Sequence, residues 1–446
     1  MGRWRISALL TVCSLCGLFP VKTFPVEEKP AAARKKFVPY APDPGHLWNR
    51  LHQALFVRAA VGGSQHVHTT DPLLRVTMYD PNPNHLWNRL HQALHVRLTD
   101  LGNAEKEQAL LPGDQSHHAF ELDAFLWPNR STYLRFGKPH KTALVVLDEF
   151  LARDGEKLVR EPIKRAFLQR DLWALFDWTR SWHTDVPGRD LRSRLAKAIQ
   201  RLALSAEEIK ALPDNLAAVA ASKKLPGFPV DLWDAPGPWV LIGDDNKNTN
   251  GARTITPVHD SFFDGRSAFL VFIRADDSRD KTIKFMKQLN ENSKPALARV
   301  ALVRRMLLID NQGRIRLTPI TETVQLREDG AGREFKLDRT DFLEGKIQQS
   351  IRCIRDDDNE RPELLFMGYN AGYNPAPILK SCFGCHQGSD LNSQTQIFSE
   401  RAGPRRTRPR LIDSTLDDEV AKCIRWKSNQ FMWGKLQGLW EGQAPK

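Results

Sequence analysis

The chain has 446 residues and a mass of 50.8 kDa, enough for roughly two to four domains of ordinary size and a sizeable core. Hydrophobic residues at 41% and charged residues at 26% exclude a disordered tail and a membrane bundle, and 27 Gly with 28 Pro exclude collagen-like repeats. Lys and Arg (65) exceed Asp and Glu (53), a net charge of +12 that suits acidic partners. The excess is spread along the chain rather than gathered into a patch, so no nucleic-acid partner is expected.

At the N-terminus, Arg3 and Arg5 precede the apolar run Ile6 to Phe19. A basic flank before an apolar stretch of this length has the build of a secretory signal, placed at residues 1–24. The run falls short of the roughly 20 residues a transmembrane helix needs, so no membrane span is expected beyond the signal. Cleavage near Pro25 removes Arg3, Arg5 and Lys22 and lowers the charge from +12 to +9. The expected location is periplasmic or extracellular, with membrane association through the N-terminus as a variant; a buried N-terminal helix in a cytosolic protein is the competing reading.

Residues 25–230 read as a helical domain with an internal repeat. HLWNRLHQALFVR (46–58) returns as HLWNRLHQALHVR (85–97), each copy after a Pro-rich lead-in and each with leucines at helical spacing. Helical patterning continues from about Thr142 to Ala221, and Ser205-Ala206-Glu207-Glu208 is a capping-box pattern. After the Pro- and Gly-rich stretch from Lys224 to Pro238 the texture changes. Residues 231–340 read as an antiparallel β region, with strands at PWVLIG, SAFLVFIR and ARVALVRRMLLID and a turn at Asn311-Gln312-Gly313. Helical signals return at Phe342 to Ile354 and at Leu416 to Trp440, where Ser414 or Thr415 can cap. The expected fold class is α+β and mostly α: a helical N-terminal half, a small antiparallel β region, and a mostly helical C-terminal segment over 341–446.

The chemistry sits in that last segment. With Cys13 and Cys16 inside the signal, Cys353, Cys382, Cys385 and Cys423 remain, and an oxidising compartment leaves few thiols free. Cys382-Phe383-Gly384-Cys385-His386 is a C-x-x-C-H pattern. Two thiols three residues apart can reach the two vinyl groups of one haem, and the adjoining imidazole can take a place under the iron. At this composition about 0.002 chance matches are expected. Three other readings stay open for these cysteines: a redox disulfide, structural zinc with Cys353 or Cys423, and plain structural disulfides.

At these residues the chain resembles the c-type cytochromes, over about a twentieth of its length. The resemblance implies one haem c, attached covalently through Cys382 and Cys385, with His386 as proximal iron ligand. Single-haem cytochromes draw a distal ligand from a later methionine; Met432 is that candidate here and Met367 the alternative, with five-coordinate iron also allowed. On the haem reading Cys353 and Cys423 are left over and are expected to pair as a disulfide. The HLWNRLHQALHVR and LDAFLWPNR stretches are similar to those of exported bacterial proteins of no assigned activity, a likeness that implies no function.

The functional expectation is one-electron transfer by an exported mono-haem protein to a redox partner protein, for which the net positive charge suits an acidic one; the basic loop Arg401 to Arg410 reads as a solvated surface loop, with docking of that partner as the alternative. The alternatives are a haem-dependent oxidase or peroxidase with an open distal site, and a disulfide-stabilised structural protein without haem. Whether the chain is an enzyme, and which residues would then be catalytic, is left open. His91 and His95, four residues apart, are read as surface or core histidines, and Trp173 as core.

Overall fold

The computed structural model describes residues 43, 45–48, 50–51, 59–60, 121–122, 137–179, 186–234, 236–245, 256, 264–290, 299–328, 331–353 and 410–442. The signal, the second repeat copy, His91, His95, Met367, Cys382, Cys385, His386 and the loop 401–409 lie outside these residues.

Seven strands form one antiparallel sheet. They are β1 (Val240–Asp244), β2 (Ser267–Arg274), β3 (Arg299–Ile309), β4 (Ile315–Glu328), β5 (Ala331–Leu337), β6 (Ile351–Cys353) and β7 (Leu411–Asp413), in the spatial order β6-β5-β4-β3-β2-β1-β7. The first six run as a meander, and β7 is added beside β1. The sequence SAFLVFIR of β2 is an unbroken apolar run because both of its faces are covered. Leu270 and Phe272 join Leu241, Val303 and Val324 in one core, while Val271 and Ile273 join Val240, Val300 and Phe285 in another. Between β3 and β4 the turn is held by Gly313 at φ +73°, a conformation that costs glycine little. Below that turn Ile309 faces Ile315, and irregularities beside Arg305 shift the register before Val303 meets Val324.

Helices α1 (Gly137–Ala152), α2 (Pro162–Trp178), α3 (Val186–Arg201), α4 (Ala206–Lys210) and α5 (Asn215–Ser222) precede the sheet. Helix α6 (Arg279–Asn290) lies between β2 and β3, α7 (Arg339–Leu343) follows β5, and α8 (Leu416–Ser428) and α9 (Phe431–Glu441) close the described chain. The stripe Ala143, Val146, Leu147 and Phe150 of α1 packs with Leu191, Leu195 and Ile199 of α3 around α2, whose residues from 166 to 177 are all buried. Pro162 opens α2 at a position where no backbone N–H is needed. Ser205 and Glu208 form the reciprocal capping box that the sequence announced, and Thr415 caps α8 by accepting from the Asp418 backbone N–H. In the first repeat copy Leu47, Trp48 and Leu51 are buried, and the Trp48 indole donates to the Gly155 carbonyl.

The expectation of a mostly helical protein with a small β region is overturned by the seven-stranded sheet. The C-terminal segment is not mostly helical either: its described helices after α7 fall within 416–441, and it contributes two strands. The helix expected over Phe342 to Ile354 stops at Leu343, Gly345 takes φ +79°, and Ile351–Cys353 pairs with β5 instead. A single helix over Leu416 to Trp440 is likewise broken at Asn429 and Gln430 into α8 and α9.

Candidate functional site

Helix α2 reads PIKRAFLQRDLWALFDW, and its burial on all sides takes Gln169, Arg170, Asp171 and Asp177 into the interior. Each such group must find partners there, because an unpaired buried polar group costs about 1–3 kcal/mol. Gln169 clamps the end of β3, donating to the Ile309 carbonyl at 2.8 Å and accepting from its N–H at 3.1 Å. Asp171 accepts two bonds from Arg339 at 3.0 and 2.7 Å, and the Arg339 guanidinium also lies 4.4 Å from the Phe167 ring centre. These contacts fasten α2 to the sheet and to α7.

Asp177, one turn after Trp173, forms the centre of a buried charged cluster. Its Oδ2 accepts from Arg266 Nη1 at 2.6 Å and from Lys427 Nζ at 2.7 Å, bringing together α2, the start of β2 and α8. The side chains of Arg266, Asp177 and Lys427 are 1%, 1% and 0% exposed. Arg266 Nη1 also reaches Asp264, at 3.1 Å, and Lys427 Nζ lies 5.0 Å from the Trp173 ring centre. Burial pushes the Lys427 ammonium below its ordinary pKa; Asp177 pulls it back up and Arg266 pushes it further down. Burial opposes the Arg266 charge as well, but Asp177 and Asp264 outweigh it and raise its pKa.

A second charged group adjoins the first through the Arg266-Ser267 step. Arg170 Nη2 donates to Ser267 Oγ at 2.7 Å, and Ser267 donates to Glu322 at 2.5 Å. Arg170 also meets Glu322 at 3.4 Å, and Arg304 lies 3.5 Å from the same carboxylate. Burial lowers the Arg170 pKa to about 10, with Glu322 opposing and with Arg266 and Arg304 repelling. Beside Asp177 and Lys427 a pocket of about 210 Å³, counting its open mouth, is lined also by Asp264, Gln430, Phe431 and Met432. Phe431 at its rim is 58% exposed.

Met432 is the one haem-ligand candidate among the described residues. It is buried in α9 and packs in the same core as Trp433 and Leu436. The innermost part of the pocket beside it has room for roughly one water. Cys353 lies on edge strand β6 and Cys423 is buried in α8, which packs over β2. Four strand spacings separate β6 from β2, roughly 19 Å, whereas disulfide-bonded Cα atoms lie about 4.4–6.8 Å apart. The two do not form a disulfide with each other. No group of three or more His, Cys, Asp and Glu side chains able to hold a metal occurs among the described residues, and no described helix is long and apolar enough to cross a membrane.

Sequence reasoning missed the Asp177 cluster. Its local trace is a set of charged residues on a helix with no polar face, Arg170, Asp171 and Asp177; Lys427 is 250 residues away. The chain matches no protein-family model, no curated protein and no solved structure.

Proposed function

We propose that the chain is an exported carrier of one covalently bound haem c that passes single electrons to and from an acidic partner protein. The observation that carries this reading is Cys382-Phe383-Gly384-Cys385-His386, two thiols and an imidazole at the spacing haem attachment requires; Arg3 and Arg5 before the apolar run Ile6 to Phe19 are consistent with export. Cys382 and Cys385 would hold the porphyrin and His386 would ligate the iron. The haem supplies the redox couple, which protein burial and hydrogen bonding then tune.

The topology supports a scaffold role for the rest of the molecule. Strands β6 and β7 are the two opposite edges of the sheet, six strand spacings or roughly 29 Å apart. The sequence that joins them, 354–410, is the one that carries the motif. Both of its ends are therefore anchored in one hydrogen-bonded framework.

One observation favours a second reading. Met432 is buried in α9 and Met367 is the alternative distal ligand; with neither on the iron, an open position remains, as a haem oxidase or peroxidase requires. Carbon monoxide binding to the reduced protein separates the two: no binding supports the carrier, and rapid binding supports the enzyme. The proximal assignment is tested by His386→Ala, which should alter the visible spectrum while covalent haem persists. An unchanged spectrum would contradict it.

A further inference from the structure

The first copy of the repeat is held in a specific site. Leu47, Trp48 and Leu51 are buried in the core that α1 lines with Ala143, Val146, Leu147 and Phe150. The Trp48 indole N–H donates to the Gly155 carbonyl, and its ring centre lies 6.2 Å from that of Phe150. Gly155 belongs to this site by its size, because a Cβ there would lie 2.4 Å from the Phe150 ring. At the rim, Arg50 meets both oxygens of Glu149, at 3.0 and 2.8 Å. Aromatic burial, an indole hydrogen bond and a two-pronged ion pair thus read Leu47, Trp48, Arg50 and Leu51 within the sequence HLWNRL.

The chain carries that sequence a second time. His85, Leu86, Trp87, Asn88, Arg89 and Leu90 match His46 to Leu51 residue for residue. The lead-ins differ at two positions, and the site tolerates both. Asp43 Oδ1 accepts from the Gly45 N–H at 2.9 Å, and the amide oxygen of Asn82 can accept the same bond. Gly45 is exposed and lies outside the left-handed region, and a Cβ there would have no neighbour closer than 3.4 Å, so Asn84 fits in its place. The one difference inside the repeat, His95 for Phe56, falls beyond the residues that make these contacts. Reach is no obstacle either. Leu90 is nearer to α1 in sequence than Leu51 is, and the shorter loop favours the second copy by roughly two- to threefold.

We propose that α1 and the Gly155 turn form a binding site for the peptide HLWNRL, and that residues 46–51 and 85–90 of one chain are alternative occupants of it. The site holds one copy at a time and recognises either by the same Leu, Trp and Arg contacts. Exchange keeps the composition of the core and changes only which part of the N-terminal region is tied to α1. This inference stands apart from the haem reading.

Its test uses the full chain. Trp48→Ala and Trp87→Ala should each lower Tm by no more than about 1 °C, because the other copy takes the site, and the double variant by roughly 6 °C or more. A synthetic peptide of residues 81–97 should bind the double variant saturably and raise its Tm, and the same peptide with Ala in place of Trp should not. A second measurement keeps both tryptophans and holds whether or not the double variant folds. A short bismaleimide should link positions 50 and 149 in Arg50→Cys/Glu149→Cys, and positions 89 and 149 in Arg89→Cys/Glu149→Cys, each within one chain, as read from tryptic peptides. A loss from either single variant as large as that of the double variant, or no loss in the double variant, overturns the inference. So does failure of the peptide to bind the folded double variant, or a link at position 50 with none at position 89. A link from position 89 that joins two chains also overturns it, by making the second copy a dimer contact.

Discussion

Asp177 and Asp310 are both buried carboxylates that meet two basic side chains, and they are built for different purposes. Asp310 sits at the β3–β4 turn, where Oδ1 accepts the backbone N–H groups of Gln312 and Arg314 at 2.9 Å each and Oδ2 accepts from Arg316 at 2.7 Å. Both of its oxygens are satisfied, and all of its partners lie within six residues of it. Asp177 places two cations on Oδ2 and none on Oδ1, and its partners come from elements 89 and 250 residues away. The first carboxylate shapes a turn. The second joins distant elements, α2, the start of β2 and α8, through one oxygen.

The largest effect should come from Asp177→Ala, which leaves Arg266 and Lys427 buried without their shared counter-ion. Denaturant unfolding should show a loss of about 3–5 kcal/mol; a loss no larger than that of an exposed pair would mean that the cluster is hydrated in solution. Asp310→Asn comes next, at roughly 1–3 kcal/mol, because it weakens a turn rather than stranding two charges. Burial opposes the Asp310 charge, but Arg316 and the turn N–H groups outweigh it and hold its pKa below the usual range. A carboxylate depressed on folding contributes fully above its unfolded pKa, about 3.9, and loses that contribution as pH falls through the folded value. The stability difference between wild type and Asp310→Asn should thus be flat above about pH 5 and shrink below about pH 4. A difference that stays constant into stronger acid would remove the charge from the explanation.

Lys427→Met should cost less than Asp177→Ala, since Asp177 keeps Arg266. Its pH signature has the opposite origin. Burial depresses the Lys427 pKa on folding, so between the folded value and the unfolded value near 10.4 the unfolded chain binds more protons, and stability rises with pH. The wild type should gain relative to Lys427→Met across that window, and parallel curves would contradict the assignment. The smallest effect belongs to Lys157→Ala, whose partner Asp154 lies in solvent three residues away. No measurable change in Tm is expected there.

How far the sequence could be read depended on how local each signal was. The capping box at Ser205, the cap at Thr415 and the turn at Gly313 are settled within four residues, and each was legible. So was SAFLVFIR, because a strand buried on both faces needs no periodicity to be seen. Ile351–Cys353 and Leu411–Asp413 are three residues each, too short to show alternation, and these two strands form the sheet edges. The split between α8 and α9 falls at Asn429-Gln430, where neither Gly nor Pro marks a stop. Asp177, Arg266 and Lys427 stand on three separate elements, and no spacing rule connects them. The reverse holds for the haem motif. Cys382, Cys385 and His386 are legible in five residues, but they lie outside the described part of the molecule.

The most direct measurement on the proposed function is the intact mass of protein made in a host that matures c-type cytochromes, read alongside a pyridine haemochrome spectrum. One haem bound through two thioethers should add the mass of a single haem to the processed chain, and Cys382→Ala with Cys385→Ala should remove it. A wild-type mass equal to that of the bare polypeptide, with no haemochrome absorbance, would contradict the account.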